Sequence, residues 1–275
     1  MSGNIPYEDL YIYLLEGQVS EKAEAILGNA FLGNWVEDNT AFLFFSEPSK
    51  ESVKALLQHW DDLAYIDEYH LPYEQWQGGI LEPIRIEHFV IAPPWVESEP
   101  EPGEIKIIID PGVVFGTGLH PTTKDCLSAM ITLQEGQVPM DKVLDLGTGT
   151  GILALAAGFL GAREVTAVDL NPLAVKTTKR NVLLNHFEGI IKVVQGQAQD
   201  FVNQPADLVI ANIHHEVVKD LLETDGFRQK HRFIISGLMR SQVRDVKGQL
   251  QKYGLEVVRE WDHEMTWYTL LLKGS

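Results

Sequence analysis

Short apolar runs separated by polar turns fill the first part of the chain, and a strand–helix rhythm takes over from residue 124. Tyr11–Leu15 is an apolar, partly β-branched run that reads as a strand. Ser20-Glu-Lys-Ala-Glu-Ala-Ile-Leu opens with a helix-capping Ser20 and then places apolar residues at helical spacing. From Trp35 to Phe45 the pattern predicts two strands around a turn at Asp38–Asn39. An amphipathic helix from Ser49 to Trp60 follows Pro48, and Leu63–His70 reads as a closing strand. The order β-α-β-β-α-β predicts a small α+β, ferredoxin-like domain over residues 1–70. Residues 71–88, with Trp76, a Gly78-Gly79 pair and Pro83, read as an interdomain connector.

Strands at Phe89–Ala92 and Ile105–Ile109 flank a tract rich in Pro and Glu that reads as an exposed loop. Farther on, strands are expected at Lys142–Leu146, Glu164–Asp169, Ile190–Gln195, Leu208–Ile213 and Arg232–Ser236. Helices at Gly151–Phe159 and Pro172–Leu184 fall between them. Such alternation predicts an α/β fold, a doubly wound parallel sheet with helices on both faces, over residues 89–275. Glu256–Glu260 and Trp267–Lys273 are strand-like but too close for a helical crossover, so that last pair should be antiparallel.

Composition narrows the class. The 275 residues are 45% hydrophobic and 22% charged, which fits a folded globular chain and not a disordered one. The longest apolar runs (Phe42–Phe45, Ile107–Ile109, Ile152–Ala157) fall far short of the roughly 20 residues that span a bilayer. No secretory signal is visible, and no membrane partner is expected. One cysteine, Cys126, allows no intrachain disulfide, and a reducing, cytoplasmic setting is expected.

The net charge of -17 is unevenly spread. Residues 1–105 hold 20 Asp/Glu against 4 Lys/Arg, whereas residues 106–275 hold 19 against 18. An excess confined to one part of the chain serves solubility, or it presents an electrostatic face to a basic partner. It disfavours nucleic acid, whose phosphates need a basic groove. A monomer is expected.

The strongest local signal is Val143-Leu-Asp-Leu-Gly-Thr-Gly-Thr-Gly-Ile-Leu-Ala. A buried strand runs into Gly147, Gly149 and Gly151, and a helix follows at once. Glycines there admit close approach of a ligand to the backbone, and the helix start favours anionic groups. Asp169 ends the next strand, where a carboxylate can accept hydrogen bonds from both hydroxyls of a ribose. These features together predict a nucleoside cofactor.

A dinucleotide site usually reads G-x-G-x-x-G. Here the loop is G-x-G-x-G with Asp145 two positions before the first glycine, a form that resembles the S-adenosylmethionine-dependent methyltransferases of the seven-stranded class. In that class the last strand is antiparallel, and the residue matching Asp145 lies near the cofactor's ammonium. Upstream stands Phe115-Gly-Thr-Gly-Leu-His-Pro-Thr-Thr, and downstream Ala211-Asn-Ile. With the glycine loop these resemble the ribosomal protein L11 methyltransferase (PrmA) family, whose members methylate lysine side chains and an N-terminal amine of that ribosomal protein. Pro83-Ile-Arg-Ile-Glu, Ala92-Pro-Pro-Trp and Ser236-Gly-Leu match too. The resemblance extends over residues 75–275, and the first 70 match in size and element order.

The resemblance implies S-adenosyl-L-methionine as cofactor, with Thr123, Gly147, Gly149, Gly151, Asp169 and Asn212 at cofactor-binding positions. Phe115, Gly116 and Thr117 belong to a loop that covers it. Asn212 is the implied catalytic residue: its side chain, with nearby carbonyls, can take the target nitrogen's hydrogens and aim its lone pair. From the residues alone the lesser alternative is a turn Asn that caps the next helix. His120 and Pro121 shape the covering loop, with His120 chiefly a hydrogen-bonding structural residue. Trp267 and Tyr268 either wall an acceptor channel or pack in the core.

Two departures bear on the acceptor. His214-His215 follow Asn212-Ile213 where the family has an apolar residue first. Adjacent histidines diverge and lack companion ligands, so no metal is expected. His214 is instead expected to line the acceptor pocket. Gln77 and Ile80 stand where a basic and an aromatic residue are expected. The resulting expectation is an enzyme that methylates amines of a basic protein, by resemblance ribosomal protein L11, with residues 1–70 as an acidic substrate-recognition domain. The alternatives are the same fold acting on another protein or a small molecule, or a cofactor-binding module without catalysis.

Overall fold

Strand β1 (Asp9–Glu16) alternates so that Tyr13 and Leu15 face one side of a sheet and Leu10 and Ile12 the other. A single turn α1 (Glu21–Glu24) comes next, then β2 (Phe31–Glu37), β3 (Thr40–Phe45), α2 (Lys50–His59) and β4 (Ala64–Pro72). The helix expected from Ser20 is only this one turn, although Ser20 caps it by accepting from the Ala23 N–H at 3.3 Å. The structure, a computed structural model, describes residues 6–37, 39–79 and 81–274, so Asp38 and Ile80 lie outside the described residues. The four strands form an antiparallel sheet in the order β2-β3-β1-β4. Val53 and Leu56 of α2 close on Tyr13, Leu15, Leu43 and Phe45 to make its core. On the other face Phe44 meets Trp76 of α3 (Tyr73–Trp76), ring centroids 5.2 Å apart.

The chain divides into two compact units, the first running to Glu82 and including Asn171–Leu173, the second holding the rest. The second opens with β5 (Ile84–Ile86), β6 (Phe89–Ala92) and β7 (Ile105–Ile108) in a three-stranded sheet. There β7 runs parallel to β6, with the Pro- and Glu-rich tract of residues 93–104 returning the chain between them. Helix α4 (Pro121–Glu135) then leads into β8 (Lys142–Leu146), α5 (Ile152–Phe159), β9 (Glu164–Asp169), α6 (Pro172–Leu184) and β10 (Ile191–Gln195). After a short 3-10 turn come β11 (Leu208–Asn212), α7 (His215–Leu222), α8 (Asp225–Arg228), β12 (Arg232–Met239) and α9 (Arg240–Lys252). Strands β13 (Glu256–His263) and β14 (Trp267–Lys273) close the chain.

Among the described residues these strands build a seven-stranded sheet in the order β10-β9-β8-β11-β12-β14-β13. The first five pair in parallel, and β14 is antiparallel to both neighbours. Both faces are covered, which is why the central strands read as unbroken apolar runs. Val143, Val165, Ile210, Ile234 and Leu271 face α4 and α5. Leu144, Val209, Phe233, Ile235 and Leu270 face Val218 and Leu221 of α7 and Val243 and Val246 of α9. Cys126 is buried in α4, and that burial pushes its thiol well above the usual cysteine range.

Strand β12 runs on past its expected end at Ser236 to Met239, through a register shift between Ile235 and Leu238. The turn from β13 to β14 is also informative. Glu264 and Met265 have φ of 50° and 55°, and Thr266 N–H donates to the His263 carbonyl at 2.9 Å. This is the primed hairpin geometry that usually takes Asn-Gly. Holding a Glu and a Met there costs about 1–2 kcal/mol each.

Candidate active site

The carboxyl ends of β8, β9, β11 and β12 share one edge of the seven-stranded sheet, the edge where doubly wound folds bind ligands. The loop after β8 turns through Gly147, Gly149 and Gly151, and Gly151 caps α5 with φ of 85°. Gly149 has φ of 58°, and a Cβ there would lie 2.5 Å from the Phe115 carbonyl oxygen. Only glycine fits both the dihedral and the approach. Gly149 N–H donates to Asp169 Oδ2 at 2.9 Å, which pins the carboxylate at the end of β9 against the loop.

The Phe115-Gly116-Thr117 segment is tied to the same loop. Thr150 Oγ1 donates to the Gly116 carbonyl at 2.6 Å, and Thr150 N–H donates to the Phe115 carbonyl at 3.1 Å. Phe115 itself is 54% exposed, a large apolar ring left toward solvent beside the glycines. Its ring packs edge-on with His120 at 5.3 Å, and His120 packs the same way with Trp267 at 4.9 Å. His120 also caps α4: its Nδ1 accepts from the Thr122 N–H at 3.3 Å. Burial, and then His263, hold its imidazole below the usual histidine range, so it is neutral near pH 7.

Two buried polar atoms at the expected cofactor residues lack a partner. Among the described residues six buried side-chain polar atoms make no hydrogen bond, and Thr123 Oγ1 and Asp145 Oδ1 are two of them. The other oxygen of Asp145 accepts from Thr148 Oγ1 at 2.6 Å. Burial pushes the Asp145 carboxyl up to about 7; the Thr148 bond opposes this and the Asp169 charge adds to it. An unpaired carboxyl oxygen and an unpaired hydroxyl suit a ligand with a cationic and a polar group. An amino-acid-bearing nucleoside fits that set.

Asn212 ends β11, half-buried, in register with Ser236 of β12. Its Oδ1 stands 3.3 Å from where a Cβ on Gly237 would be, so the glycine leaves that amide room. Ser236 Oγ and Thr269 Oγ1 bond at 2.5 Å beneath this edge, and Thr269 donates to Asp125 at 3.3 Å. His214 is exposed at the start of α7 and caps nothing with its side chain. His215 is the enclosed member of the pair, lying 3.2 Å from Glu216 and 3.3 Å from Asp245. Tyr268 is buried in the core, whereas Trp267 is half-buried at the site's rim.

Sequence reasoning missed Asn181. Its amide donates to the carbonyls of Thr150 at 2.8 Å and Asp110 at 2.9 Å, and its Oδ1 accepts from Asp110 N–H at 2.8 Å. Asn185, one turn on, clamps both backbone groups of Ile108. The signal was present as two asparagines four residues apart, one inside α6 and one just past its end.

Comparison with known proteins agrees with this geometry. The sequence model of the family described as ribosomal protein L11 methyltransferase (PrmA) matches residues 50–274. The chain is 36% identical over 251 residues to the ribosomal protein L11 methyltransferase of Geobacillus kaustophilus, covering 85% of this chain and 75% of the relative. It is 38% identical over 222 residues to that of Desulfitobacterium hafniense, covering 76% and 68%. Among solved structures, the ribosomal protein L11 methylase of Lactobacillus delbrueckii subsp. bulgaricus aligns with a TM-score of 0.62 at 29% identity, over 70% of this chain and 99% of that one. The match begins at residue 50 and so extends into the first unit, earlier than the motifs alone reach. By its sheet, its glycine loop and these relatives, the chain belongs to the ribosomal protein L11 methyltransferase family.

Proposed function

We propose that this chain transfers methyl groups from S-adenosylmethionine to amine nitrogens of ribosomal protein L11, on lysine side chains, the N-terminal amine or both. The observation that carries this is the placement of Asn212 on the same sheet edge as the glycine loop and Asp169. When bound, the cofactor supplies a methyl carbon on a sulfonium centre, open to in-line displacement. Asp169 would accept from the ribose hydroxyls, the Gly147–Gly151 backbone would receive the rest of the nucleoside edge, and Asp145 and Thr123 would meet the amino-acid end. Phe115, Gly116 and Thr117, held by Thr150, cover it and exclude water.

Asn212 Oδ1, with neighbouring backbone carbonyls, accepts the amine's hydrogens and so directs its lone pair. A lysine ordinarily holds its proton up to about 10.4. A site with a fixed cation nearby and a partly dry wall of Phe115, His120 and Trp267 lowers that value and favours the neutral amine. Positioning then supplies most of the rate. No nucleophile on the protein is required.

The first unit we read as a ferredoxin-like substrate-recognition domain. Its order β2-β3-β1-β4 with two crossover helices supports that topology, and its acidic excess suits a basic protein. A ribosomal acceptor and a lone buried cysteine support the cytoplasm as its compartment. The test is transfer of labelled methyl from S-adenosylmethionine to purified ribosomal protein L11, with mass spectrometry of the products. Methylated amines on L11, reduced about a hundredfold or more with Asn212→Ala, are the expected result. Label appearing in another acceptor and none in L11 would move the substrate; cofactor binding without transfer would leave a binding module.

A further inference from the structure

A cleft of about 490 Å³ opens where β12 passes into α9, lined by Met239, Arg240, Ser241, Arg244, Met265 and Thr266. Its two guanidinium groups have no ion pair and no hydrogen bond among the described residues, in a chain with 39 acidic side chains to 22 basic ones. The other six arginines all have a partner. Arg85, Arg163, Arg180 and Arg228 sit in ion pairs, Arg232 bonds a carbonyl, and Arg259 bonds Thr132 and covers Trp261.

Acidic side chains on the elements around the cleft are turned to other uses. Asp245 pairs with His215, Glu260 with Lys247, and Asp262 accepts from the Met265 N–H. Glu264 in the turn pairs with neither arginine. The helix does nothing to hold the two cations either, because they occupy the first two turns of α9, which carry no acid in the first turn. Cations there are opposed by the helix dipole. Both guanidinium groups are exposed and unpaired among the described residues, which leaves them free to meet an anion from outside.

The rest of the lining describes what carries that anion. Met239 and Met265 are 46% and 62% exposed, and methionine side chains adapt to varied apolar partners. Met265 is held out by the strained turn between β13 and β14. The position is equally specific. Met239 lies three residues beyond Ser236, the register partner of Asn212, which puts the cleft about 10 Å past that amide in the direction of the strand. It lies beyond Asn212 on the side away from Asp169, since β12 and β14 follow β11 in the sheet while β9 precedes it.

We propose that this cleft is a subsite for the protein acceptor, taking an aspartate or glutamate carboxylate with an apolar neighbour, two to three residues from the amine that is methylated. It rests on the methyltransferase reading above and adds a specificity determinant to it. Arg240 and Arg244 grip the carboxylate from two sides, and Met239 and Met265 cover the flanking side chain. The grip fixes the register of the acceptor segment, and so which amine reaches Asn212.

The experiment compares the wild-type chain with Arg240→Ala/Arg244→Ala and Arg240→Lys/Arg244→Lys on ribosomal protein L11 and on peptides spanning its methylated amines. The double alanine variant is expected to raise KM for the protein about tenfold, with kcat and the Kd for S-adenosylmethionine unchanged. The double lysine variant should recover part of this. Peptides with the neighbouring Asp or Glu replaced by Asn or Gln should no longer distinguish wild type from double alanine. An unchanged KM, an equal loss on acid-free peptides, or stronger competition by a short RNA than by an acidic peptide would each overturn the proposal. If the wild type leaves L11 unmethylated, the methyltransferase reading fails instead. Fluorescence anisotropy of a labelled acidic peptide on the cofactor-free chain then decides the cleft by itself.

Discussion

Asp145 carries a testable pH signature. Its folded-state carboxyl sits at about 7, far above the ordinary aspartate value, because the fold buries it. A raised carboxyl means that the folded chain holds this proton more tightly than the unfolded chain does. The linked stability is therefore fully present below the unfolded value of about 3.9 and is lost as the pH climbs through about 7. Without cofactor, the wild-type chain is expected to lose stability to urea across that window, and Asp145→Asn to lose much less. Cofactor affinity should run the other way, strengthening as the pH rises through about 7 in the wild type and staying flat in the variant. Urea unfolding and isothermal titration of the cofactor, each at three pH values, check the two signs. At this scale much of the candidate site is legible in the sequence. Asp145, Asp169 and Asn212 stand out because a carboxylate or amide at a strand end, beside glycines, has few structural uses. Asn181 did not stand out, since its periodicity gives it to a polar helix face and only the fold reveals the three backbone groups it serves. His214 and His215 were separable only by coordinates, because one residue of helix rotation decides which is enclosed.

At the scale of elements, the loop after β8 and the Phe115 segment behave as one part. Gly149→Ala would force a Cβ toward the Phe115 carbonyl and a side-chain-bearing residue to φ of 58°. The expected cost is about 2 kcal/mol or more of stability. Thermal melting should fall, and cofactor affinity should fall with it, because the glycine N–H that holds Asp169 moves as well. A variant that melts lower yet binds cofactor normally would separate the two segments. The strands of the large sheet were legible since burial on both faces makes them unbroken apolar runs bounded by turns. Two features were not. Strand β12 outruns its apolar stretch because Gly237 admits a shift in register that lets pairing with β14 continue. The parallel pairing of β6 with β7 hid behind a tract of Pro and Glu that has no helix to announce a crossover.

For the molecule as a whole, charge is the property most open to test. The first 105 residues hold almost all of the excess of acid over base, and a basic acceptor meeting that field gains in encounter rate. Raising salt from about 0.05 M to about 0.3 M shortens the reach of such a field. The expected result is a fall in kcat/KM for ribosomal protein L11, with little change in the Kd for S-adenosylmethionine. Equal salt dependence for the protein and for a short neutral amine would remove the first unit from recognition. This asymmetry is legible from composition alone, since it needs no contact to be known.

The buried thiol of Cys126 has a practical consequence for every such measurement. It lies in the interior of α4 with its proton held far above neutral pH, so maleimide dyes and spin labels find no thiolate to attack. A single cysteine engineered at an exposed position would then be the sole site of conjugation. Fluorophores could be attached one at a time, in an otherwise unaltered chain, to watch acceptor arrival and departure in real time.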